Sequence, residues 1–437
     1  MILLTEPASS PLLGELTPPG DKSISHRALI FACLAEGRSR VTGLLDSEDV
    51  KATANACCQL GMKLQYAGDA LLLDGVGTTG LSPPREPLDM GNSGTAMRLL
   101  AGVLAAQPFD SELVGDESLS RRPMTRIVKP LSLMGARIET AKGGTPPLRI
   151  NGNPGLHGID YPSPIASAQV KSCLLLAGLY ASGQTSVSEP LKSRDHTEKM
   201  LPAFGVTLRG ESGVEGGSRL QAATVHVPAD ISSAAFFMVA AAMLPGSDLL
   251  LRNVGLNETR DGVIHVLRAM GSDLTISGLR EQGGEAVGDV RVRYAGMLNG
   301  IEIPPELIPS MIDELPVVLA LAAVSRGTTV LRGAAELRVK ESDRLDVMAR
   351  GLEVLGVSLE EYEDGMDVEG GSIGGGEVDG AGDHRCAMSF AVLGQVASGQ
   401  VRVSGAENID TSFPTFVQDL SRIGGLIRIE NGEPNDV

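Results

Sequence analysis

Cationic side chains crowd the start of one apolar segment, where they could take part in anion binding. The stretch GDKSISHRALIFACL places Lys22, Ser23 and Arg27 immediately before a run that is apolar from Ala28 to Leu34. If this run is a helix, positive charge at its N-terminus faces the positive end of the helix dipole, where acidic side chains are normally favoured. A phosphate or carboxylate bound to the unpaired N–H groups of the first turn would restore the balance. We therefore interpret the segment as a site for a multiply charged anion.

Polar and charged residues occupy corresponding places elsewhere, at the starts of other apolar runs and in the loops between them. GNSGTA offers Gly94 for close approach of a ligand to the backbone, but alone it is a weak signal, and the sequence has no GxxxxGK[ST] phosphate loop. An isolated loop arginine is more often a solvated surface residue, and Glu341 with Arg344 fits a simple helix-surface ion pair. These charged residues recur at the same place in unit after unit of an acidic protein, which favours a role in anion binding over a role as ordinary surface residues. The residues concerned are Asn92, Ser93, Gly94, Thr95, Arg121, Arg122, Ser167, Gln169, Lys171, Arg194, His196, Arg260, Asp313, Glu314, Lys340, Glu341, Arg344, Asp383, His384 and Arg385.

Composition limits the class of protein and its partners. A formal net charge of −17 and a pI near 4.9 argue against nucleic acid or an anionic membrane as a partner. Aromatic residues make up 3% of the chain and Trp is absent, which leaves few platforms for stacking bases. A hydrophobic content of 42% is typical of a folded globular protein. At 437 residues the chain is longer than a single hydrophobic core normally accommodates, so two domains of about 200 residues are expected.

The sequence gives no sign of a membrane span, a secretory signal or a metal site. The longest apolar run, Ala234 to Leu244, counts 11 residues, and the start MILLTEPASS lacks a basic segment followed by a full apolar one. The 5 cysteines show no CxxC spacing, which favours a reducing cytoplasm and argues against structural zinc. His26, His196 and His384 lack metal-ligand spacing, so we expect structural roles for them. We expect a cytoplasmic protein.

A short pattern recurs six times: the end of an amphipathic helix, a glycine, and then a strand. Glycine adopts the left-handed backbone at a helix C-terminus without steric cost, so we predict that conformation in every copy. Between the copies lie segments that open with Asp, Asn or Ser in capping positions and are apolar on nearly all faces, which predicts buried helices followed by short alternating strands. The copies are QLGMKL, LMGARI, AFGVTL, AMGSDL, VLGVSL and RIGGLI, with their glycines at Gly61, Gly135, Gly205, Gly271, Gly356 and Gly424.

The repeat predicts six units of helix, strand, loop, helix and strand, three in each of two domains with mixed sheets. The likeliest crossing points are Pro18-Pro19-Gly20 and HVPADIS around Pro228. One domain would span residues 19–231, and the other would be discontinuous, with residues 1–18 and 232–437. Equivalent charged positions in related units should point to the same end of their domain. Two such ends facing each other would form one cleft, so we expect the active site in the interdomain cleft.

Eight motifs, in order along essentially the whole chain, resemble those of the 5-enolpyruvylshikimate-3-phosphate synthase (3-phosphoshikimate 1-carboxyvinyltransferase) family. The resemblance implies an α/β (α+β) enolpyruvyl transferase fold of two domains, each with three βαβαββ units around a pseudo-threefold axis. It also implies transfer of the enolpyruvyl group of phosphoenolpyruvate to the 5-hydroxyl of shikimate 3-phosphate, with release of phosphate, in the shikimate pathway to chorismate and the aromatic amino acids. The motifs are PGDKSISHRA, GNSGTAMRLL, RRPM, SAQVKS, SRDHTEKM, IDELP, RVKESDR and DHRCAMSF.

The same resemblance assigns residues to each substrate. Because the two substrates together carry two phosphates and two carboxylates, several cations are needed to hold them side by side. It implies no metal and no organic cofactor, since phosphoenolpyruvate itself carries the activated enol. We expect a monomer whose ligands are these two small molecules. The implied shikimate 3-phosphate residues are Lys22, Ser23, Arg27, Ser167, Gln169, Arg194, Asp313 and Lys340, and the implied phosphoenolpyruvate residues are Lys22, Gly94, Arg122, Gln169, Arg344 and Arg385.

The implied chemistry is an addition followed by an elimination, through a tetrahedral ketal. It requires a base for the 5-hydroxyl and an acid for the methylene carbon, with the roles reversed in the second step. We assign Asp313 as the base and Glu341 as the group that exchanges a proton with the methylene carbon. Lys22 would stabilise the phosphate that leaves, and it is the rival candidate for the acid.

Two departures from the family pattern affect specificity. SAQVK, RDHTE and NETR resemble the second subclass of the family, often tolerant of the herbicide glyphosate, whereas Gly94 resembles the sensitive form, in which tolerant members tend to have Ala. A methyl group there would crowd glyphosate in the phosphoenolpyruvate site, so we expect sensitivity. Thr411, in DTSFP, stands where many members have a lysine that reaches phosphoenolpyruvate. That contact is either absent or supplied elsewhere.

Two other functions fit parts of the sequence. The sister enzyme that transfers enolpyruvate to UDP-N-acetylglucosamine shares the fold, but its mobile loop usually carries a reactive cysteine and DESLSRRPM has none. A non-catalytic repeat protein that binds phosphorylated metabolites would need none of the acid–base residues. The presence of Asp313, Lys340, Glu341 and Arg344 together argues against it.

Overall fold

A computed structural model describes residues 1–430 as a mixed α/β protein. The helices are α1 (Lys22–Leu34), α2 (Glu48–Gln59), α3 (Gly94–Ala105), α4 (Thr125–Leu133), α5 (Ala168–Gly178), α6 (His196–Met200), α7 (Ile231–Met243), α8 (Gly262–Ala269), α9 (Ile308–Met311), α10 (Leu315–Ala322), α11 (Arg344–Val354), α12 (His384–Leu393) and α13 (Phe416–Arg422).

The strands are short and are distributed along the whole described chain. They are β1 (Ile2–Thr5), β2 (Leu13–Leu16), β3 (Ala35–Thr42), β4 (Lys63–Ala67), β5 (Ala70–Val76), β6 (Leu88–Asp89), β7 (Ser111–Val114), β8 (Arg137–Ala141), β9 (Thr145–Asn151), β10 (Asp160–Pro162), β11 (Gln184–Ser188), β12 (Gly213–Glu215), β13 (Leu220–Gln221), β14 (Thr224–His226), β15 (Asp248–Gly255), β16 (Asp273–Gln282), β17 (Glu285–Arg293), β18 (Gly327–Leu331), β19 (Ser358–Tyr362), β20 (Gly365–Gly370), β21 (Gly376–Asp379), β22 (Val401–Ser404) and β23 (Ile427–Glu430).

The chain divides into two compact units, each with its own apolar core. The N-terminal-half unit contains residues 20–227 and 281–285, and the C-terminal-half unit contains residues 1–19, 228–280 and 286 onward. The core of the first is built on α1, α3 and α5, and that of the second on α7, α10 and α12. These helices are apolar on nearly all faces because neighbours surround them. Identification of these units with the two predicted domains, and the active site between domains, stay predictions.

Six separate sheets account for the repeat within residues 1–430. In the N-terminal-half unit the strand orders are β13-β3-β5-β4 with β14 also on β3, β6-β7-β9-β8, and β10-β11-β12. In the C-terminal-half unit they are β21-β22-β1-β23, β16-β17-β15-β2, and β18-β20-β19. The sheet of β6 to β9 shows the plan: β6 and β7 are parallel across α3, and β9 pairs antiparallel with β7 and β8 after α4. The predicted α/β class with βαβαββ units is confirmed.

The repeated glycines have the backbone that the sequence predicted. All six lie in the left-handed region, with φ of 114° at Gly61, 97° at Gly135, 82° at Gly205, 99° at Gly271, 87° at Gly356 and 109° at Gly424. Five of them lead into a strand within a few residues. The prediction of a strand directly after Gly205 is wrong, because the segment that follows it is irregular until β12. β3 begins at Ala35, directly after α1 ends at Leu34.

Five of the six core helices have an N-terminus that is capped by a side-chain hydrogen bond. Asp21, Ser93, Ser167, Asp230 and Asp383 each accept a backbone N–H from the first turn of their own helix. The exception is α10, which starts after a turn at Ile312–Glu314 and has no side-chain cap bond. The capping role that the sequence pattern suggested at this helix is therefore wrong, and the carboxylate of Asp313 is directed to other partners.

The left-handed backbone of the repeated glycine has a measurable cost for any other residue. A Cβ added at Gly356 would meet no atom within 4 Å, so Gly356→Ala tests the backbone conformation alone. We expect it to lower the free energy of unfolding by about 1 kcal/mol. Gly371→Ala is the matched control, because Gly371 also has open space around it but lies outside the left-handed region. Urea unfolding that ranks the two variants equally would contradict the assigned role of the repeat.

Candidate functional site

The buried guanidinium of Arg27 is held by neutral groups. Arg27 is 2% exposed. Its Nε donates to Thr197 Oγ1 at 2.7 Å, and its two Nη atoms donate to Ser172 Oγ at 2.7 Å and to the Ser23 carbonyl at 2.9 Å. Within the described residues, no carboxylate oxygen lies within salt-bridge distance of it. Burial lowers the pKa of Arg27 to about 10, so the group is charged at neutral pH and lacks a close counterion.

Lys22 has a different environment at the first turn of the same helix. Its Nζ forms a salt bridge with the buried carboxylate of Asp49, on α2. Lys22 itself remains partly exposed, at 18% of its side chain. Asp49 was not recognised in the sequence, because it belongs to a different segment and only the packing of α1 against α2 brings it here.

Gly94, Arg122 and Gln169, assigned from the sequence to phosphoenolpyruvate, form one contiguous group. Arg98 connects them: its Nη1 donates to Gln169 Oε1 at 2.5 Å, and Gln169 Nε2 donates to Thr95 Oγ1 at 2.9 Å. A Cβ added at Gly94 would lie 2.9 Å from Arg98 Nη1 and 3.4 Å from Arg122 Nη1. The absence of a side chain at Gly94 therefore leaves room for two guanidinium groups at the start of α3.

Arg122 and Arg121 are adjacent in sequence but differ in burial. Arg122 is 7% exposed and donates to Asn92 Oδ1 at 2.6 Å and to Ser118 Oγ at 3.2 Å. Arg121 is exposed and pairs with Glu117 on the surface. Of this pair, only Arg122 joins the group around Gly94.

Ser167 and Arg194, both assigned to shikimate 3-phosphate, lie close to one buried carboxylate. Ser167 is the N-cap of α5, and its N–H donates to Glu189 Oε1 at 2.7 Å. Ser193, the residue before Arg194, donates its hydroxyl to the same carboxylate. Glu189 was not predicted as part of the site, since nothing in the local sequence distinguishes it from a surface glutamate.

In the C-terminal-half unit, Arg344 connects three carboxylates. Its Nε donates to Asp383 Oδ2 at 2.8 Å, Nη1 to Asp313 Oδ1 at 3.2 Å, and Nη2 to Glu341 Oε2 at 2.6 Å. Arg344 is 1% exposed. Burial disfavours its charge, but the carboxylates of Asp383, Glu341 and Asp313 more than compensate and raise its pKa well above the ordinary value. The two predicted acid–base residues, Asp313 and Glu341, therefore share one cation.

Arg385 and Lys340 complete this group. Arg385 Nη1 donates to the Asp313 carbonyl at 3.1 Å, and its backbone N–H is capped by Asp383. Lys340 is partly buried, and burial lowers its pKa despite the carboxylates of Asp313 and Glu336 nearby. All five site residues predicted for this half of the chain thus lie in one cluster.

Arg260 forms a second buried network beside Asp313. It is 2% exposed and donates to Ser232 Oγ at 2.7 Å and to Asp230 Oδ1 at 3.1 Å, while Ser232 donates to Glu314. Because Glu314 is the next residue after Asp313, this network fixes the turn that carries the predicted base. The motif NETR marked Arg260 as charged, but its burial could not be inferred from sequence.

Several hydroxyls that the sequence suggested for ligand binding have partners in the protein. Ser93 Oγ caps α3, and Thr95 Oγ1 accepts the bond from Gln169. Thr411, which stands where many family members have a lysine, is 3% exposed and donates to the Asn408 carbonyl at 2.6 Å. The hydroxyl of Thr411 is therefore engaged within the protein.

Residues 1–430 contain no group of three or more His, Cys, Asp or Glu side chains arranged to hold a metal ion. Over the same residues, no helix is both long and apolar enough to cross a membrane.

His196 is buried, and its Nδ1 lies 2.6 Å from Glu285 Oε1.

Comparison with known proteins identifies the family. The family model of EPSP synthase (3-phosphoshikimate 1-carboxyvinyltransferase) matches residues 7–420. The chain belongs to this family. It is 56% identical over 409 residues to the 3-phosphoshikimate 1-carboxyvinyltransferase of Xanthomonas campestris pv. campestris (strain B100), covering 93% of each chain. It is 55% identical over 426 residues to the enzyme of that name from Xanthomonas oryzae pv. oryzae (strain PXO99A), covering 96% of this chain and 97% of the other.

Solved structures support the same conclusion for the fold. An EPSP synthase of Acinetobacter baumannii aligns with a TM-score of 0.87 and 48% identity, covering 98% of this chain and 100% of that one. A second structure of the Acinetobacter baumannii enzyme gives a TM-score of 0.86 and 47% identity, with 99% and 100% coverage. The predicted family and fold are confirmed.

His26 links the starts of α1 and α3. Its ring is fully buried, with Nδ1 2.7 Å from Thr53 Oγ1 and Nε2 3.3 Å from Ser93 Oγ. Thr53 donates its own proton to the Asp49 carbonyl, so its oxygen accepts from Nδ1–H, and Ser93 then donates to Nε2. Burial, with Lys22 and Arg27 nearby, lowers the pKa of His26 well below 6.5. His26 is therefore neutral in the folded protein.

A neutral buried histidine makes stability depend on pH in a defined direction. As the pH falls below about 6.5, the unfolded chain binds a proton at His26 that the folded protein does not, so stability falls by up to about 1.4 kcal/mol per pH unit. We expect His26→Gln to remove this contribution, so that urea unfolding at pH 5 and pH 7 gives a smaller difference than in the wild type. His265→Gln, at a half-exposed ring, is the control. Equal pH dependence in the wild type and His26→Gln would contradict the neutral assignment.

Proposed function

We propose that this chain transfers the enolpyruvyl group of phosphoenolpyruvate to the 5-hydroxyl of shikimate 3-phosphate, giving 5-enolpyruvylshikimate 3-phosphate and phosphate. Family membership and the names of the relatives support this activity, which belongs to the shikimate pathway. The single observation that carries the mechanism is that Arg344 holds both acid–base candidates, Asp313 and Glu341. Substrates that are both anions fit the cationic groups found in each unit.

The phosphate and carboxylate of shikimate 3-phosphate are assigned to the cations and hydroxyls that surround Arg27 and to the cluster at Asp313. Arg27 supports this assignment because a dianionic phosphate would supply the counterion that its hydroxyl partners do not. Gln169 is shared by both substrates. The full set proposed for shikimate 3-phosphate is Lys22, Ser23, Arg27, Ser167, Gln169, Arg194, Asp313 and Lys340.

Phosphoenolpyruvate is assigned to the group at Gly94 and to the arginines of the C-terminal-half unit. Gly94 supports this assignment, because its missing side chain leaves space beside Arg98 and Arg122. The reaction requires residues of both units to act on the same pair of substrates, and this requirement is part of the proposal. The full set proposed for phosphoenolpyruvate is Lys22, Gly94, Arg122, Gln169, Arg344 and Arg385.

Asp313 takes the proton of the 5-hydroxyl. The hydroxyl oxygen at the same time bonds to the carbon of phosphoenolpyruvate that carries the phosphate. Glu341 gives a proton to the methylene carbon, which becomes a methyl group in the tetrahedral intermediate. In the second step the methyl returns a proton to Glu341, the bond between the carbon and the phosphate oxygen breaks, and the proton held by Asp313 leaves with the phosphate. Lys22 stabilises the leaving phosphate and is the second candidate for the carbon acid. The carboxylates of Asp313 and Glu341, both on Arg344, are positioned by the same buried cation.

The partners proposed are these two metabolites alone, with a monomer as the working form and the cytoplasm as its location. The free state of all 5 cysteines, 4 of them buried, supports a reducing compartment. The UDP-N-acetylglucosamine transferase and the non-catalytic binder are not favoured, because both Xanthomonas relatives bear the name 3-phosphoshikimate 1-carboxyvinyltransferase.

Release of inorganic phosphate tests the proposal. The purified protein should release phosphate from phosphoenolpyruvate when shikimate 3-phosphate is added, and should release none when UDP-N-acetylglucosamine replaces it. Release with the second acceptor would favour the sister activity. Saturable binding of both substrates without release of phosphate would favour a non-catalytic protein that binds phosphorylated metabolites.

Replacing the base should affect turnover more than binding. We expect Asp313→Asn to lower kcat by about 10² to 10⁴-fold, the range of general base catalysis, because the amide cannot accept the hydroxyl proton. Calorimetric titration should show shikimate 3-phosphate binding that is largely retained. Glu377→Gln, at an exposed carboxylate paired with Arg402, is the control for loss of a negative charge. Near-normal turnover of Asp313→Asn would refute the assignment.

Gly94 predicts the response to glyphosate. We expect inhibition at millimolar glyphosate, because Gly94 leaves the space that the inhibitor is proposed to occupy. Gly94→Ala should weaken the inhibition and also raise the KM for phosphoenolpyruvate, since the added methyl would press on Arg98 Nη1 at 2.9 Å. Steady-state inhibition curves of both proteins measure this. Wild-type activity that is unchanged at millimolar glyphosate would reject the proposal.

A further inference from the structure

A buried ion cluster of one lysine and two glutamates lies in the N-terminal-half unit. Lys171 Nζ is 2.9 Å from Glu189 Oε2 and 2.9 Å from Glu198 Oε1. The side chains are 3%, 6% and 6% exposed, respectively. Burial alone would lower the pKa of Lys171, but the two carboxylates raise it above its ordinary value. Lys171 is therefore paired with two carboxylates of the protein itself and does not act as a ligand for anions.

The two glutamates are equivalent toward Lys171 but differ in their other contacts. Glu198 accepts a bond from Ser212 Oγ at 2.8 Å. Glu189 instead accepts the Ser167 N–H at 2.7 Å, the Ser193 hydroxyl at 2.7 and 2.8 Å, and the Ser193 N–H at 3.3 Å. Bonds to an ionised acceptor are stronger than neutral ones, so these contacts fix the backbone on both sides of Glu189.

The segments that Glu189 joins both carry residues proposed for shikimate 3-phosphate. Ser167 is the N-cap of α5, and its hydroxyl faces the first turn of that helix. Ser193 precedes Arg194, and the Ser193 carbonyl also accepts from Lys171 at 3.5 Å. One carboxylate thus sets the separation between Ser167 and Arg194, which are far apart in sequence.

We propose that Glu189 is a positioning residue for shikimate 3-phosphate, which acts by holding Ser167 and the backbone before Arg194 at the spacing that this substrate requires. The inference rests on the proposed function, since it takes from it the identity of the ligand. Glu189 does not touch the substrate in this account. A role in charge neutralisation alone would make Glu189 and Glu198 interchangeable.

The matched pair Glu189→Gln and Glu198→Gln separates these roles. Each variant removes one negative charge at the same distance from Lys171 and at the same burial. By electrostatics alone, either change should favour binding of an anion nearby. We expect Glu189→Gln to weaken shikimate 3-phosphate binding at least tenfold in calorimetric titration, because the amide binds the serine donors less strongly and turns an NH2 group toward them. Glu198→Gln should bind as tightly as the wild type or more tightly.

The steady-state parameters give a second readout. Glu189→Gln should raise the KM for shikimate 3-phosphate more than the KM for phosphoenolpyruvate, because Gly94 and Arg122 do not contact Glu189, and only Gln169, shared by the two substrates, follows Ser167 on α5. Ser193→Ala keeps every charge and removes one of the bonds, so it should give an intermediate loss even if Glu189→Gln folds poorly. Thermal melting checks folding in each case.

Three results would overturn the inference: wild-type affinity in both Glu189→Gln and Ser193→Ala, equal losses in the two glutamine variants, or equal losses for the two substrates. Failure of the proposed function would look different. In that case the wild-type protein itself would show no binding of shikimate 3-phosphate and no release of phosphate.

Discussion

Burial of a cation without a carboxylate partner is the constraint on which this account depends. Removing a guanidinium from water is costly unless charge and hydrogen bonds compensate for it. At Arg27 the hydrogen bonds are supplied by Thr197, Ser172 and the Ser23 carbonyl, while the close counterion is not. The fold therefore holds a charged group whose hydrogen-bond partners are all neutral, while the carboxylates of Glu198, Asp21 and Glu285 act on it from beyond salt-bridge distance. A dianionic ligand, as proposed for shikimate 3-phosphate, would supply the close counterion.

Other buried cations have carboxylate partners within the protein. Lys171 has two glutamates, and Arg260 has Asp230 and a hydroxyl that leads to Glu314. Arg344 has three carboxylates, and two of these are the proposed acid and base. Buried cations in this protein thus divide into those with a close carboxylate partner and those, such as Arg27, without one among the described residues. The division follows from contacts and not from residue type.

Much of the fold could be predicted from the sequence, because local rules decide it. The left-handed glycines and the apolar core helices depend on backbone sterics and on burial, both of which leave a periodic pattern. The strand expected directly after Gly205 does not form, and the later strands β13 and β14 pair with β3 in another sheet and not with β10-β11-β12. At α10 the local pattern suggested a cap, but tertiary contacts drew Asp313 to Arg344 instead.

Candidate site residues were recognised by their motifs, whereas the groups that position them were not. Asp49 and Glu189 contact residues that lie in other segments of the chain, and such pairing is fixed only when the helices pack. A buried glutamate and an exposed one look alike in a sequence. The proposed division of residues between the substrates follows from the family resemblance.

The most direct test is the effect of shikimate 3-phosphate on the stability of the wild type and of Arg27→Met. Without ligand, the variant should unfold at the same or a higher urea concentration than the wild type, because a buried charge without a close counterion is removed while Thr197 and Ser172 keep their mutual bond. At about one hundred times the dissociation constant, the ligand should stabilise the wild type by about 2.7 kcal/mol and the variant far less. Equal stabilisation of both proteins, together with a less stable unliganded variant, would contradict the claim that Arg27 is held for an anion.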